Sequence, residues 1–320
     1  MTETLRVDSA TPEAAALESA ASVLAAGELV AFATETVYGL GADATQAAAV
    51  AKIFVAKGRP QTNPLIAHVS SSDMAREWAG AWPAGAQALA DAFWPGPLTI
   101  ILPRNDRIVP AVSAGLDTVG LRVPEPAVAR GLIEALGRPV AAPSANRSEH
   151  VSPTTAQHVL DDLDGRIAMV LDSGPTGVGI ESTVIDLCGP APRVLRRGPV
   201  SVAQLQAVLG EVEVVDQHVD GSSAQASPGQ SVRHYAPDVP CVRVEPGFVP
   251  TAGDAVIVCG DSRLAAHVLP SPEIAARDLY ALLRRLEREG AARIVIVMPP
   301  ETPAWAAVRD RLIRATVPAP

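Results

Sequence analysis

The stretch from Gln217 to Pro240 is rich in Ser, Gly, Gln and Pro and carries no apolar period. Such a segment cannot run through a hydrophobic core, so the residues on either side of it must fold as separate units. The expected division is a first domain at 1–210, a linker at 211–240 and a small second domain at 241–320. With 320 residues, 48% of them hydrophobic, the chain can bury two cores. Aromatics are only 3%, so alanine, valine and leucine must fill those cores.

The first unit alternates short apolar runs with helical periods. The pattern predicts helices at 12–26 and 45–57, the second closed by Gly58. It predicts strands at 28–34, 64–69, 98–102, 118–123, 139–142, 167–171 and 182–187, and a loop over Glu35–Gly41. The second unit reads strand 254–259, helix 273–289, strand 293–298 and helix 303–316. Both are α/β, and the order in the second predicts a small parallel, three-layer, Rossmann-like unit.

Composition excludes several functions. A net charge of −9, with 15 basic and 21 acidic residues in 1–210, opposes a protein built to grip a nucleic-acid backbone. Cys188, Cys241 and Cys259 form no CxxC pair, so neither structural zinc nor a disulfide framework is indicated. There is no signal peptide and no apolar run of membrane-spanning length, so the expected compartment is the cytoplasm. Neither a GxxxxGK[ST] P-loop nor a kinase signature, HExxH or GxSxG is present.

Positive charge is distributed oddly. The chain has 24 arginines and only two lysines, and both lysines fall in Lys52-Ile-Phe-Val-Ala-Lys57-Gly-Arg-Pro60. Lysine is a compact point charge and arginine a planar fork, so the two are not interchangeable at a phosphate. The run is therefore a candidate anion site at a helix end. Polar groups recur where other strands end: Thr34-Glu-Thr-Val-Tyr-Gly-Leu40, Pro143-Ser-Ala-Asn146 and Arg193-Val-Leu-Arg-Arg-Gly198. Substrates of α/β sheets bind at such ends, so these segments are expected to line one open cleft. Ser227-Pro-Gly229 and His234-Tyr-Ala-Pro237 give the linker chemistry that a plain tether does not need.

These segments, with Asn63-Pro-Leu65, Trp94-Pro-Gly-Pro-Leu-Thr99, Gly120-Leu-Arg-Val-Pro124 and Glu181-Ser-Thr-Val184, resemble in order and spacing the YrdC-type L-threonylcarbamoyladenylate synthases. The linker motifs and the second α/β unit resemble the long, two-domain form of that family. Ala33 stands where family members usually carry proline, and the last helix matches only around Arg311-Leu312. The resemblance implies a mixed twisted YrdC-like sheet with an open cleft. It implies a nucleotidyltransferase that makes threonylcarbamoyl-AMP and pyrophosphate from L-threonine, bicarbonate and ATP. The product would pass to a downstream tRNA threonylcarbamoyl transferase that modifies ANN-decoding tRNAs. Lys57 and Arg59 would act on the triphosphate, helped by Asn63, Ser144, Asn146, Ser152 and Arg196, with Thr118, His234 and Tyr235 near the nucleotide. Thr36, His68, Arg122, Ala142 and Ser182 would line the threonine pocket. Mg²⁺ would arrive with ATP and take no protein side chain. The linker would close as a lid. Two other readings share the fold: a double-stranded-RNA-binding module, opposed by the charge, and a carbamoyl-adenylating domain of the hydrogenase-maturation type, opposed by the missing cysteine pairs.

Overall fold

The computed structural model describes residues 1–215, 234–245, 247–249, 251, 253–260 and 267–319. In the first domain the elements are β1 (Glu3–Arg6), α1 (Ala14–Ala25), β2 (Val30–Ala33), β3 (Tyr38–Asp43), α2 (Ala47–Lys57), β4 (Ile66–His68), α3 (Ser72–Trp78), α4 (Ala84–Phe93), β5 (Leu98–Pro103), β6 (Thr118–Arg122), α5 (Ala127–Leu136), β7 (Val140–Ala141), α6 (Ala156–Leu163), β8 (Met169–Asp172), β9 (Thr183–Asp186), β10 (Arg193–Arg196), α7 (Val202–Leu209) and β11 (Glu213–Val214). The strands form one mixed sheet in the order β1-β8-β2-β3-β7-β4-β6-β5-β9-β10-β11.

Alternation along each strand sorts side chains to opposite faces. On β2, Val30 and Phe32 enter the core under α1 and α5, whereas Ala31 and Ala33 enter the larger core that includes α2 and α4. Small residues on the strands let the helices approach closely, which is how a core works with few aromatics.

The loop expected at Glu35–Gly41 is mostly strand. Tyr38–Asp43 pairs antiparallel with β2, leaving only Thr34–Val37 as the turn. Thr34 closes it: its Oγ1 donates to the Val37 carbonyl at 2.7 Å and accepts from the amides of Thr36 and Val37. Gly39 and Gly41 read as loop residues, but here they are required by crowding. A Cβ at Gly41 would lie 2.8 Å from Val140 and 2.9 Å from Phe32. The N-terminal strand β1, which carries no pattern of its own, pairs parallel with β8. Glu213 and Val214 extend the sheet beside β10, so the first domain runs past 210.

The second domain contains β12 (Cys241–Val244), β13 (Asp254–Cys259), β14 (His267–Leu269), α8 (Pro272–Arg288), β15 (Arg293–Val297), α9 (Ala306–Ala315) and β16 (Val317–Pro318). Its sheet, ordered β14-β13-β15-β12-β16, is parallel throughout, as expected. The three-layer expectation does not hold among the described residues, where α8 and α9 pack on the same face of the sheet. The opposite face is a patch of valines at 242, 244, 256, 258, 295 and 297.

The two domains touch closely. A Cβ at Gly179, in the loop after β8, would come within 2.4–2.6 Å of Ala276 and Arg277 on α8. Arg284 on α8 bridges to Asp162 on α6 at 2.7 Å, both buried. Among the described residues no helix is long and apolar enough to cross a membrane.

Candidate active site

Where β2, β4 and β6 end and β3 begins, polar residues open into one small cavity. Its lining includes Thr34, Thr36, Val37, Arg59, His68, Arg122, Ala142, Ser144, Glu181, Arg196, His234 and Tyr235. The cleft expected from the strand ends is therefore present, with the described end of the linker forming part of its wall. Ser227-Pro-Gly229 lies outside the described residues.

One end of the cavity is built for anions. Lys57 is the last residue of α2, and Gly58 turns the chain with φ 64° in the left-handed region. A cation at a helix C-terminus is favoured by the helix dipole. Lys57 Nζ donates to the Ser144 carbonyl at 2.7 Å, to the Asn146 carbonyl, and to Asn146 Oδ1 at 3.3 Å. It lies behind the cavity wall, bracing the Pro143–Asn146 segment. Arg59 faces the cavity, with Nη2 donating to Asn63 Oδ1 at 2.6 Å and to the Pro64 carbonyl at 2.9 Å. Arg196 from β10 donates to Ser182 through Nε and Nη2, and Ser182 Oγ is 2.8 Å from Thr99 Oγ1.

Lys57 and Arg59 are buried, and among the described residues neither has a carboxylate partner within salt-bridge distance. Burial, then the Arg59 charge, pushes the Lys57 ammonium well below the usual lysine value, and burial lowers Arg59 to about 10. Arg59 keeps its charge, and a buried charge without a described counter-ion is costly, so it points to a ligand that supplies one.

The other end is neutralised internally. Arg122 Nη2 donates to Glu35 Oε1 at 2.7 Å and to Thr36 Oγ1 at 2.9 Å, and Glu35 Oε2 accepts from the Glu125 amide. Thr34 and Thr36 hydroxyls are 2.8 Å apart. His68 lies edge-on to Phe32, and burial, then the Arg122 charge, lowers it to about 3, so its ring is neutral. Burial and the charges of Arg59, Lys57 and Arg196 push His234 well below the histidine range as well. This end presents hydroxyls, a fixed guanidinium and a neutral imidazole around a small space.

Of the residues expected from sequence, Thr36, Arg59, His68, Arg122, Ala142, Ser144, Arg196, His234 and Tyr235 line the cavity directly. Lys57, Asn63, Ser152 and Ser182 stand one hydrogen bond behind it, Ser152 through a 2.6 Å bond to Glu181, and Asn146 stands one further back, through Lys57. Thr118 is elsewhere: it lines a separate small hollow with Pro64, Thr99 and Ser113. Lys52 is also apart from the site, exposed and paired with Glu28 at 2.7 Å, so the anion site of the lysine run contains one lysine. Spacing explains this: Lys52 lies five residues before Lys57 on α2 and faces solvent. The sequence did not point to Glu181 as a cavity residue, or to Glu35 as the partner of Arg122, although both sit inside quoted motifs. Acidic residues gave no signal there, because their arginine partners Arg122 and Arg311 are distant in sequence.

The fold agrees with comparisons to known proteins. The family model described as "Telomere recombination" (Sua5, YciO, YrdC) matches residues 22–198. The one described as "Threonylcarbamoyl-AMP synthase, C-terminal domain" matches residues 200–317. Threonylcarbamoyl-AMP synthase of Bacillus subtilis is 39% identical over 93% of this chain and 92% of its own. The enzyme of that name from Pyrococcus abyssi is 40% identical, covering 93% of each chain. A crystal structure of Pyrococcus abyssi Sua5 complexed with L-threonine superposes with a TM-score of 0.88 at 37% identity, covering 98% of this chain and 97% of that one. By these relatives this is an enzyme of the nucleotidyltransferase class. The chain belongs to the threonylcarbamoyl-AMP synthase family, in its two-domain form.

Proposed function

We propose that this protein condenses L-threonine with bicarbonate and transfers the resulting carbamate to the α-phosphate of ATP, giving L-threonylcarbamoyl-AMP, pyrophosphate and water. The observation that carries this reading is the asymmetry of the cavity. Its anion end presents Arg59, with Lys57 behind the wall, and among the described residues neither has a carboxylate within salt-bridge distance, which suits a triphosphate. Its other end offers the Thr34 and Thr36 hydroxyls and Arg122, suited to a small hydroxylated amino acid. L-threonine is the ligand of the related Pyrococcus abyssi structure.

The threonine amine attacks bicarbonate carbon, water leaves, and a carbamate oxygen then attacks the α-phosphorus in line as pyrophosphate departs. No protein nucleophile is required. The chain's work is positioning and neutralising the charge of the leaving pyrophosphate, the assignment for Lys57, Arg59 and Arg196. His68, neutral at physiological pH, adds no cation beside Arg122. A carbamate is lost quickly in water, so the His234-Tyr235 wall serves by excluding solvent. Mg²⁺ belongs to the substrate as Mg–ATP. Glu181 in the cavity and Glu35 behind Arg122 are each engaged by an arginine, and neither is free to hold a metal. The product would serve the threonylcarbamoyl modification of tRNA in the cytoplasm, through a separate transferase.

The test is incubation with ATP, L-threonine and bicarbonate, with pyrophosphate release and mass detection of the adenylate. Pyrophosphate that depends on both threonine and bicarbonate supports the reading. Release that is indifferent to either would refute it.

A further inference from the structure

The second domain reaches the cavity residues through Arg311 and Tyr280. Arg311 on α9 is completely buried, the largest such side chain among the described residues. Its Nε donates to Glu181 Oε2 at 2.8 Å, and its Nη2 to the backbone carbonyls of Arg197 at 3.1 Å and Glu181 at 3.4 Å. Its guanidinium lies 5.3 Å from the centre of the Tyr235 ring, within cation–π range. Tyr280 on α8 stacks on the same Tyr235 ring, 5.7 Å away and 26° from parallel, and its hydroxyl donates to Glu181 Oε2 at 3.0 Å. The other Glu181 oxygen takes the Ser152 hydroxyl at 2.6 Å.

Each oxygen of Glu181 thus has a different owner. Oε1 is held by the first domain and Oε2 by the second. Glu181 and Tyr235 both line the cavity. A tether would need only surface contact and would leave Arg311 in water, because burying a guanidinium is unfavourable unless it is fully paired. Here every described partner of Arg311 except its neighbour Asp310 is a cavity residue or a backbone group beside one.

We propose that Arg311 is a positioning residue for the nucleotide side of the cavity, fixing Glu181 and Tyr235 so that the docked second domain completes the active site. The proposal rests on the reading of the cavity as a threonylcarbamoyl-adenylate site. Without Arg311 the Glu181 carboxylate takes up a proton or turns toward Arg196, whose charge already acts on it, and Tyr235 loses a wall. The threonine end, built from Thr34, Thr36, Arg122 and Glu35, makes no described contact with Arg311 and stays as it is.

The experiment compares the full-length protein with Arg311→Met, Arg311→Lys and Ile294→Ala by pyrophosphate release, alongside thermal melting. Ile294 is a fully buried core residue of the same domain that does not touch Glu181, so its truncation destabilises that domain without reaching the cavity. Arg311→Met raises the KM for ATP at least tenfold and leaves the KM for threonine within threefold. Arg311→Lys, which keeps a charge for Glu181, falls between Arg311→Met and the unaltered protein. Ile294→Ala stays within threefold on both constants despite its lower melting temperature. If Arg311→Met follows Ile294→Ala, or shifts both KM values equally, Arg311 is structural only and the proposal is overturned. If Arg311→Met does not fold, Arg311→Lys and Tyr280→Phe carry the same comparison: a selective rise for ATP supports the proposal and unchanged constants overturn it. An unaltered protein that releases no pyrophosphate refutes the activity itself, which is a separate outcome. In that case hydrogen exchange at 149–152 and 234–238 still decides: faster exchange in Arg311→Met than in Ile294→Ala supports positioning, and equal exchange overturns it.

Discussion

Lys57 has two duties that one substitution would expose. In the proposed reaction it adds to the positive field beside Arg59 from behind the wall, and as a donor to Ser144 and Asn146 it braces the segment that forms one cavity wall. Lys57→Ala is expected to lower adenylate formation by about 1.5–3 kcal/mol, or roughly ten- to hundredfold, from the lost charge-assisted contacts alone. It should also lower the melting temperature, because the two carbonyls lose their buried donor. Lys57→Arg keeps the charge but overfills a site shaped for an ammonium, so its activity should fall less. Near-normal turnover of a folded Lys57→Ala protein would contradict the assignment. This residue was legible in the sequence because lysine is so rare in the chain that its position carried information. Arg311 was not, because one arginine among 24 gives no hint that it crosses a domain boundary to reach Glu181.

At the scale of elements, the strand ends were legible and their partners were not. Apolar runs bounded by polar residues mark where strands stop, and stopping points are where α/β folds bind ligands. Pairing is decided by residues far apart: β3 hides behind two glycines that its neighbours require, and β1 is a strand only because β8 is there. The end of the linker has a similar dependence. His150, before α6, holds Asp162 through Nδ1 at 3.0 Å and Glu287 of α8 through Nε2 at 3.2 Å, and Ala236 of the linker pairs beside it. Arg147, Arg284 and Asp238 also face this cluster. Burial lowers the His150 pKa, but its hydrogen bonds to Asp162 and Glu287 outweigh that and leave it above the ordinary value. A raised folded pKa contributes stability that is complete below the unfolded value of about 6.5 and is lost as pH rises through the folded value. The difference in melting temperature between the unaltered protein and His150→Gln should therefore be largest near pH 6 and shrink toward pH 9. The buried neutral histidines His68 and His234 act in the opposite direction, but they are common to both proteins and cancel. A difference that does not vary with pH would show that His150 is held uncharged.

For the whole molecule, the two domains are packed closely against each other. The composition of 217–240 announces a division of the chain, but composition cannot show that the divided parts then re-dock. Docking is carried by Arg284–Asp162, Arg311–Glu181 and the close approach of Gly179 to α8, all of them contacts between residues more than 90 positions apart. Ending the chain after Val215 would keep the first sheet whole, including β11, but would remove Tyr235, Tyr280 and Arg311 together. Such a fragment should retain threonine binding and lose at least tenfold in adenylate formation, measured by calorimetry and pyrophosphate release. Full activity in the fragment would reduce the second domain to an appendage. The account as a whole stands on the carbon that joins the two ends of the cavity. Incubating the full chain with ATP, L-threonine and ¹³C-bicarbonate, and weighing the adenylate by mass spectrometry, tests it most directly. The account predicts an adenylate heavier than threonyl-AMP by one carboxyl unit, carrying the label. An unlabelled adenylate, or one formed equally well when bicarbonate is withheld, would contradict it.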